Sequence, residues 1–154
     1  MLEKAAWLAI ALGALLSVSG CSNSATATIS PGADLTRVKS FYVVHQPKDT
    51  HGVENLIRDR LVKDGFAAEA GPELPQASYK AAAVVTYVDR WMWDMTLYLL
   101  ELTITFRDAN NGFPLAVGNS YHTSLTRKSP PEMVDEILTN VFNASKQTAK
   151  PASP

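Results

Sequence analysis

Residues 97–112 read LYLLELTITFRDANNG, and this stretch decides the fold. Within Leu97–Asp108, every second residue from Tyr98 to Phe106 is apolar and the residues between them are mostly polar. A period of two predicts a β-strand that is covered on one face. The Asn111-Gly112 pair that follows is a strong hairpin-turn signal. The chain is therefore predicted to return as an adjacent strand over residues 115–125.

Shorter patterns on both sides of this hairpin predict the remaining elements. A strand is expected at residues 81–93, another at 41–44, and a short one at 66–70. Apolar residues at helical spacing predict one helix over residues 53–64 and another from residue 130 onward. Gly65 is expected to end the first helix in a left-handed conformation, and Ser129 with Glu132 is expected to begin the second as a capping box.

These elements predict one α+β domain over residues 34–142. Its fold is expected to be an antiparallel β-sheet of four to five strands with two α-helices packed on one face, in the order β-α-β-β-β-β-α. Residues 21–33 are small and polar and are predicted to be a flexible tether. Residues 143–154 have the same character and are predicted to be a disordered tail.

The first 20 residues have the features of a secretory signal peptide. Lys4 precedes the apolar run AAWLAIALGALL of residues 5–16, which is shorter than the roughly 20 residues of a membrane-spanning helix. The next residues, LSVSGC at 16–21, resemble the bacterial lipobox. That resemblance implies diacylglyceryl transfer to Cys21, cleavage before it, and acylation of the new amino terminus. Two or more acyl chains anchor a protein stably, whereas one does so marginally.

Ser22 follows the cysteine, where enteric-type lipoproteins that stay in the inner membrane carry an aspartate. The resemblance therefore implies the outer membrane, with the domain facing the periplasm. The mature chain also resembles a broad group of small envelope lipoproteins with lipid-anchored α+β domains, through the Asp-x-x-x-Gly turn of Asp108–Gly112 and the Ser-Pro-Pro-Glu helix start at 129–132. That group includes auxiliary components of lipid transporters and of lipopolysaccharide assembly, and the resemblance brings no catalytic residue.

Composition narrows the classes of function. Hydrophobic residues make up 46% and charged residues 19%, and the formal net charge is -1. No basic field suggests a nucleic-acid partner. Cys21 is the single cysteine, so its lipidation leaves no thiol for disulfides, thiolate metal sites or cysteine catalysis.

The titratable residues form no chemical signature. His45 and His51 lack the i, i+4 spacing of a helical metal pair, although Asp49 and His122 could join them; surface histidines are the favoured interpretation. There is no G-x-S-x-G motif, and the separation of paired carboxylates cannot be read from sequence. The hairpin carboxylates are Asp89, Asp94 and Glu101. We predict no enzymatic activity, no metal site and no cofactor.

The sequence WMWDMTLYLL at residues 91–100 is the unusual stretch. Trp91 and Trp93 share one face of a strand and Met92 lies on the other, so this end of the hairpin is apolar on both faces. Packing inside the domain is the favoured explanation, a protein partner or self-association is the second, and a lipid or glycan is the third. We expect the indoles to lie on the sheet face opposite the helices. The candidate interaction surface comprises Trp91, Trp93, Met95, Leu97 and Leu99.

Together these observations predict a noncatalytic outer-membrane lipoprotein that serves as an interaction or accessory module in the periplasm. Its expected partners are the membrane, through the lipid, and an envelope protein or further copies of itself. The alternative is a periplasmic lipoprotein that binds a lipid or a glycan. An envelope hydrolase is the third and least favoured hypothesis.

Overall fold

The computed structural model describes residues 23–76 and 78–149. The predicted signal peptide and Cys21 lie outside these ranges. None of the helices within them has the length and apolar character needed to cross a membrane.

The described residues form six strands, two α-helices and two short 3-10 helices. The strands are β1 (Ser24–Ile29), β2 (Ser40–Val44), β3 (Ala67–Gly71), β4 (Ala83–Asp94), β5 (Thr96–Asp108) and β6 (Pro114–Tyr121). The α-helices are α1 (Val53–Lys63) and α2 (Pro130–Ala149). The 3-10 helices are Leu35–Arg37 and Ser124–Thr126.

All six strands belong to one sheet in the order β1-β6-β5-β4-β2-β3. The predicted hairpins are present, since β4 pairs antiparallel with β5 and β5 with β6. The prediction of a fully antiparallel sheet is wrong, because β2 pairs in parallel with both β3 and β4. Helix α1 connects β2 to β3, and such a crossover returns the chain in the same direction. The sheet is therefore mixed.

Two segments predicted to be irregular are ordered. Residues 24–29, placed in the tether by sequence, form the edge strand β1, which pairs with β6 along its whole length. Helix α2 continues to Ala149, well into the predicted tail. Apart from Ile29, which packs against the main core, the side chains in both segments are small or polar, so the pattern of hydrophobicity does not reveal them. Main-chain pairing orders the first, and helix continuation orders the second.

Both helices cover the same face of the sheet, as predicted, and the main core lies between. Phe41 of β2 and Phe106 of β5 meet Phe66 and Phe142 in edge-to-face and stacked contacts, with ring centroids 5.0–6.3 Å apart. Such contacts stabilise the core beyond the area they bury. Arg60 of α1 connects the two helices, since its Nε lies 2.7 Å from Asp135 of α2.

The predicted end of α1 is confirmed. Gly65 has φ +90°, and the N–H groups of Gly65 and Phe66 donate to the carbonyls of Val62 and Leu61. These are the two bonds of a Schellman motif. At the start of α2, Glu132 accepts from the Ser129 N–H at 2.7 Å as a capping box requires, but the Ser129 hydroxyl also donates to this carboxylate. The structure thus shows one of the two expected capping bonds.

Helix α2 approaches the sheet most closely over Gly118 of β6. A Cβ placed on Gly118 would lie 2.4 Å from Ile137 Cγ2 and 2.8 Å from Val141 Cγ2. Neither distance is compatible with a real side chain, so the helix lies in a groove that only glycine leaves open. The same helix also packs on β1, and Gly118 is the partner of Ala27 in that strand.

We therefore expect Gly118→Ala to lower the free energy of unfolding by about 1–3 kcal/mol, because the added methyl overpacks the contact between helix and sheet. Denaturant unfolding measures this change. Ile137→Ala removes the nearest methyl group, so the cost of Gly118→Ala should be smaller in that background. Equal costs in the two backgrounds would contradict the close approach.

Candidate functional site

The β4–β5 hairpin extends beyond every neighbouring strand. The last residue of β5 that pairs with β6 on that side is Glu101, opposite Tyr121. On the other side, β2 pairs with β4 only over residues 83–85. Residues 91–98 thus form a two-stranded ribbon without a lateral strand, which we call the hairpin tip. An isolated ribbon of this kind is marginally stable in water, so its side chains need other contacts.

A β-bulge in β5 sets the direction of the β5 side chains in the hairpin tip. The register shifts between Arg90 and Trp91: Arg90 faces Glu101, whereas Trp91 faces Leu99. Leu100 is therefore the extra residue. After it in the chain, the even-numbered residues of β5 face the helices, and before it the odd-numbered residues do. Leu99 becomes fully buried, and Trp91 packs against the main core. The prediction that the indoles lie opposite the helices is wrong, because Trp91 and Trp93 continue the alternate row of β4 in which Val85 and Tyr87 belong to the main core.

Beyond Trp91 the hairpin tip is exposed. The exposed fractions are 48% for Met92, 74% for Trp93, 90% for Met95 and 49% for Leu97. Met92 pairs with Tyr98, and Trp93 pairs with Leu97. Because neighbouring strand residues point to opposite faces, both faces of the ribbon carry exposed apolar side chains. The predicted surface is thus divided, with Leu99 in the core, Trp91 half-buried, and Trp93, Met95 and Leu97 exposed.

The turn of the hairpin is strained. Met95 has φ +58°, the single positive φ of a non-glycine residue among those the structure describes. The left-handed region costs an L-residue with a side chain roughly 1–2 kcal/mol, and glycine or asparagine occupies it more easily. The most exposed apolar side chain of the hairpin tip therefore stands where a smaller or polar residue would be more stable.

On one face the hairpin tip is held by the segment before α1. The His51 ring stacks on the Trp91 indole with centroids 3.8 Å apart. The indole Nε1 donates to Asp89 Oδ2 at 2.6 Å. His51 is positioned in turn by Asp49, whose carboxylate accepts from the backbone N–H of His51 at 2.6 Å. Trp91 is thus held in place and connects the hairpin tip to the segment before α1.

On the other face Arg127 holds the hairpin tip. Its guanidinium lies 4.3 Å from the centre of the Tyr98 ring. It also donates to the Thr96 hydroxyl at 2.6 Å and to the Asp94 carbonyl at 2.7 Å. The Asp94 carboxylate lies 3.6 Å from the same side chain. Sequence reasoning missed Arg127 because it follows β6 by six residues and its partners are remote in the chain.

The first described residues of the chain lie at this same end of the sheet. Ser24 of β1 pairs with Tyr121 of β6, which pairs with Glu101 at the base of the hairpin tip. Asn23 accepts a hydrogen bond from the Thr126 hydroxyl, next to Arg127. The neighbouring Leu125 is 82% exposed and was predicted only as the end of a strand. The start of β1, the hairpin tip and Leu125 therefore form one end of the molecule.

Behind Trp91 lies a cluster of acidic residues around Tyr87. The Tyr87 hydroxyl donates to Asp49 Oδ2 at 2.8 Å and lies 3.1 Å from Glu54 Oε2. Burial of Tyr87 and its bond to Asp49 raise the pKa of the hydroxyl, which stays protonated and remains a donor. Burial alone would raise the pKa of Asp49, but its bonds from backbone N–H groups and Tyr87 outweigh that effect and lower it.

Asp49, His51 and Asp89 also place one potential metal-ligand atom each within 4.8 Å of one another. Each of the three residues has a structural role in the fold. Asp49 accepts from the N–H groups of Gly52 and Val53 and so caps α1, and His51 and Asp89 hold Trp91. His45, which the sequence placed with this group, lies instead 3.2 Å from Glu54.

A second polar cluster lies under α2. Glu136 accepts from Ser120 at 2.7 Å, from Lys128 at 2.5 Å and from His122 Nε2 at 2.8 Å. His122 is buried, and its Nδ1 has no hydrogen-bond partner among the described residues. Burial alone would raise the pKa of Glu136, but these hydrogen bonds and the charge of Lys128 lower it to about 2. His122 is therefore a structural partner of α2 and does not belong to the group of Asp49, His51 and Asp89.

Comparison with known proteins identifies the fold. The PelC dodecamer from Paraburkholderia phytofirmans matches in two structures, with TM-scores of 0.58 and 0.57 and 17% sequence identity. The match covers 78% or 77% of this chain and 98% of the PelC chain. A minor lipoprotein from Acinetobacter baumannii aligns at 17% identity over 76% of this chain and 98% of its own, with a TM-score of 0.37.

No protein-family model matches the chain, and no curated protein matches its sequence. At 17% identity the likeness to PelC shows a shared fold and no more. The arrangement of strands and helices therefore has a known counterpart, whereas the hairpin tip has to be interpreted from its own residues.

The Glu136 cluster gives a prediction about pH. The folded pKa of about 2 lies below the ordinary value of 4.5, so the stabilisation is complete above pH 4.5 and is lost as the pH falls toward 2. We expect Glu136→Gln to lower the free energy of unfolding at neutral pH by roughly 1–3 kcal/mol. The difference from wild type should close between pH 4.5 and about 2.

Thermal melts across this pH range provide the measurement. Glu69→Gln, at an exposed position of β3, is the matched control and should show a small difference at every pH. A Glu136→Gln difference that stayed constant with pH would mean that the ionised carboxylate does not stabilise the fold.

Proposed function

We propose that this protein is a noncatalytic lipoprotein of the bacterial outer membrane. It is anchored through Cys21, faces the periplasm and acts as an interaction or accessory module. The observation that carries the proposal is the hairpin tip, where Trp93, Met95 and Leu97 are exposed at the end of the molecule from which the chain leads back to Cys21. Clustered exposed apolar side chains are typical of contact surfaces.

The anchor is supported by the sequence around Cys21 together with the position of β1. The LSVSGC segment resembles a lipobox, and Ser22 is not the aspartate associated with inner-membrane retention. Only Ser22 and Asn23 separate Cys21 from the first residue of β1. A lipid on Cys21 would thus join a sheet strand almost directly, and the domain would lie close to the membrane surface.

An interaction module is favoured over a ligand-binding protein by the nature of the apolar surface. A lipid- or glycan-binding site is usually concave and buries most of its ligand. Trp91, the tryptophan nearest the sheet, is already stacked on His51. The exposed side chains of the hairpin tip project from a narrow ribbon that extends beyond the sheet. This convex shape suits contact with a larger surface better than enclosure of a small molecule.

Self-association is the part of the proposal that the fold comparison supports. PelC has the same fold and forms a dodecamer. In this chain β1 and β3 are the outer strands of the sheet, and an outer strand offers unpaired backbone groups to another chain. We therefore propose that copies of this protein assemble with one another at the membrane.

The anchor is tested with Cys21→Ala. No other cysteine is present to accept the diacylglyceryl group, so the variant should lose all labelling by a fatty-acid analogue and accumulate as precursor. Ser19→Ala keeps the cysteine and the small residue before it, and it should remain labelled. The labelled wild-type protein should fractionate with the outer membrane. Continued labelling of Cys21→Ala would disprove the lipoprotein assignment.

Assembly is tested by the mass of the purified protein in mild detergent, measured by light scattering or native mass spectrometry. We expect a mass that is a multiple of the lipidated chain and that decreases on dilution. A single-chain mass at every concentration would remove self-association from the proposal and leave a partner of another kind.

A further inference from the structure

We infer that the hairpin tip inserts into the same lipid leaflet that holds the acyl chains of Cys21. The inference rests on the proposed lipid anchor and adds a second membrane contact made by the folded domain. The hairpin tip enters the interfacial region of the bilayer. The inserting side chains are Met92, Trp93, Met95 and Leu97.

The exposure of both ribbon faces is the first argument. Trp93 and Leu97 project from one face of the ribbon, and Met92 projects from the other. A flat protein surface can cover one face of a ribbon, whereas a fluid medium that surrounds the ribbon covers both. The acyl boundary of a bilayer is such a medium, and tryptophan is enriched at that depth because its ring is apolar and its N–H is polar.

The position of Cys21 is the second argument. Asn23 is hydrogen-bonded to Thr126, whose neighbour Arg127 contacts the hairpin tip. Only Ser22 separates Asn23 from Cys21, and the two residue steps between them span at most about 7 Å. The acyl chains would therefore start close to the hairpin tip. Because the attachment is so short, the tip would stay at the membrane surface. Leu125, exposed in the same loop, would face the same leaflet.

The charge of the hairpin tip is the third argument. Asp94 is the only charged residue between Trp91 and Leu100, and its carboxylate lies 3.6 Å from Arg127. A charge that enters a membrane interface is less costly when it is paired. Arg127 also holds the main chain of the turn at Asp94 and Thr96, so the ribbon keeps its shape when it leaves water.

The strain at Met95 is the fourth argument. A residue in the left-handed region is kept at a cost in stability, and such costs are concentrated at functional positions. The methionine there is the most exposed apolar side chain of the tip. An exposed methionine gains no burial in water. In lipid its side chain is transferred from water to an apolar environment, which is favourable.

Tryptophan fluorescence tests this inference. The chain contains three tryptophans, Trp7, Trp91 and Trp93. Trp7→Phe/Trp91→Phe leaves Trp93 as the single tryptophan whether or not the leader is removed. The full chain, purified from cells, is reconstituted into vesicles of phosphatidylethanolamine and phosphatidylglycerol, with ordinary or brominated acyl chains. We expect the Trp93 emission to shift to shorter wavelength and to be largely lost in brominated vesicles.

Trp7→Phe/Trp93→Phe is the matched control, because it reports from Trp91. That indole is stacked on His51 at the base of the ribbon, so its emission should fall much less in brominated vesicles. Met95→Asn is a second variant that suits the left-handed turn and removes one inserting side chain. Combined with Trp7→Phe/Trp91→Phe, it should reduce the quenching of Trp93 while circular dichroism shows an unchanged fold.

The possible outcomes separate this inference from the anchor. Equal Trp93 emission in ordinary and brominated vesicles would overturn the inference, even if Cys21 is labelled by fatty acid and the anchor stands. A blue shift that appears with protein concentration and without quenching would also overturn it and assign the hairpin tip to a second copy of the chain. Strong quenching of Trp93 without labelling of Cys21 would support insertion and refute the lipid anchor.

Discussion

The length of the β4–β5 hairpin relative to its neighbours is the constraint on which the rest of the site depends. The hairpin strands span Ala83–Asp94 and Thr96–Asp108, whereas β6 ends at Tyr121, opposite Glu101. Beyond that row the His122 N–H still donates to the Leu100 carbonyl, but residues 91–98 have no lateral strand and depend on side-chain contacts. The stacking of His51 on Trp91 and the contacts of Arg127 supply this stabilisation from opposite faces. The segments before α1 and after β6 therefore each contribute a side chain that stabilises the hairpin tip.

Much of the fold could be predicted because its strongest signals are local. The alternation in β5, the left-handed Gly65 and the Glu132 bond at the start of α2 all depend on residues near one another in sequence. Which β5 residues of the hairpin tip face the helices could not be predicted, because the single extra residue at the bulge shifts that row from the even-numbered residues, such as Leu102, to Leu99. Two consecutive leucines, Leu99 and Leu100, were the available signal, and both are buried.

The remaining differences come from interactions between distant parts of the chain. Strand β1 has small and polar side chains, and it is ordered by main-chain pairing with β6, which follows it by about 90 residues. The parallel pairing of β2 with β4 likewise depends on where the chain returns after β3. His122 could be recognised as a structural residue only once Glu136 of α2 was placed beside it. The role of a histidine therefore depends on its hydrogen-bond partners, and sequence spacing does not reveal which residues these are.

The pairing of β1 with β6 also determines how the domain would bear mechanical force. With a lipid on Cys21, a pull on the membrane anchor acts along the axis of β1, whose six residue pairs with β6 bond perpendicular to that axis. The ladder is then loaded in shear, and its hydrogen bonds share the force instead of opening one after another. A short strand made of alanine, serine and threonine up to its last residue, Ile29, would in this way give the domain a mechanically resistant attachment to a moving bilayer.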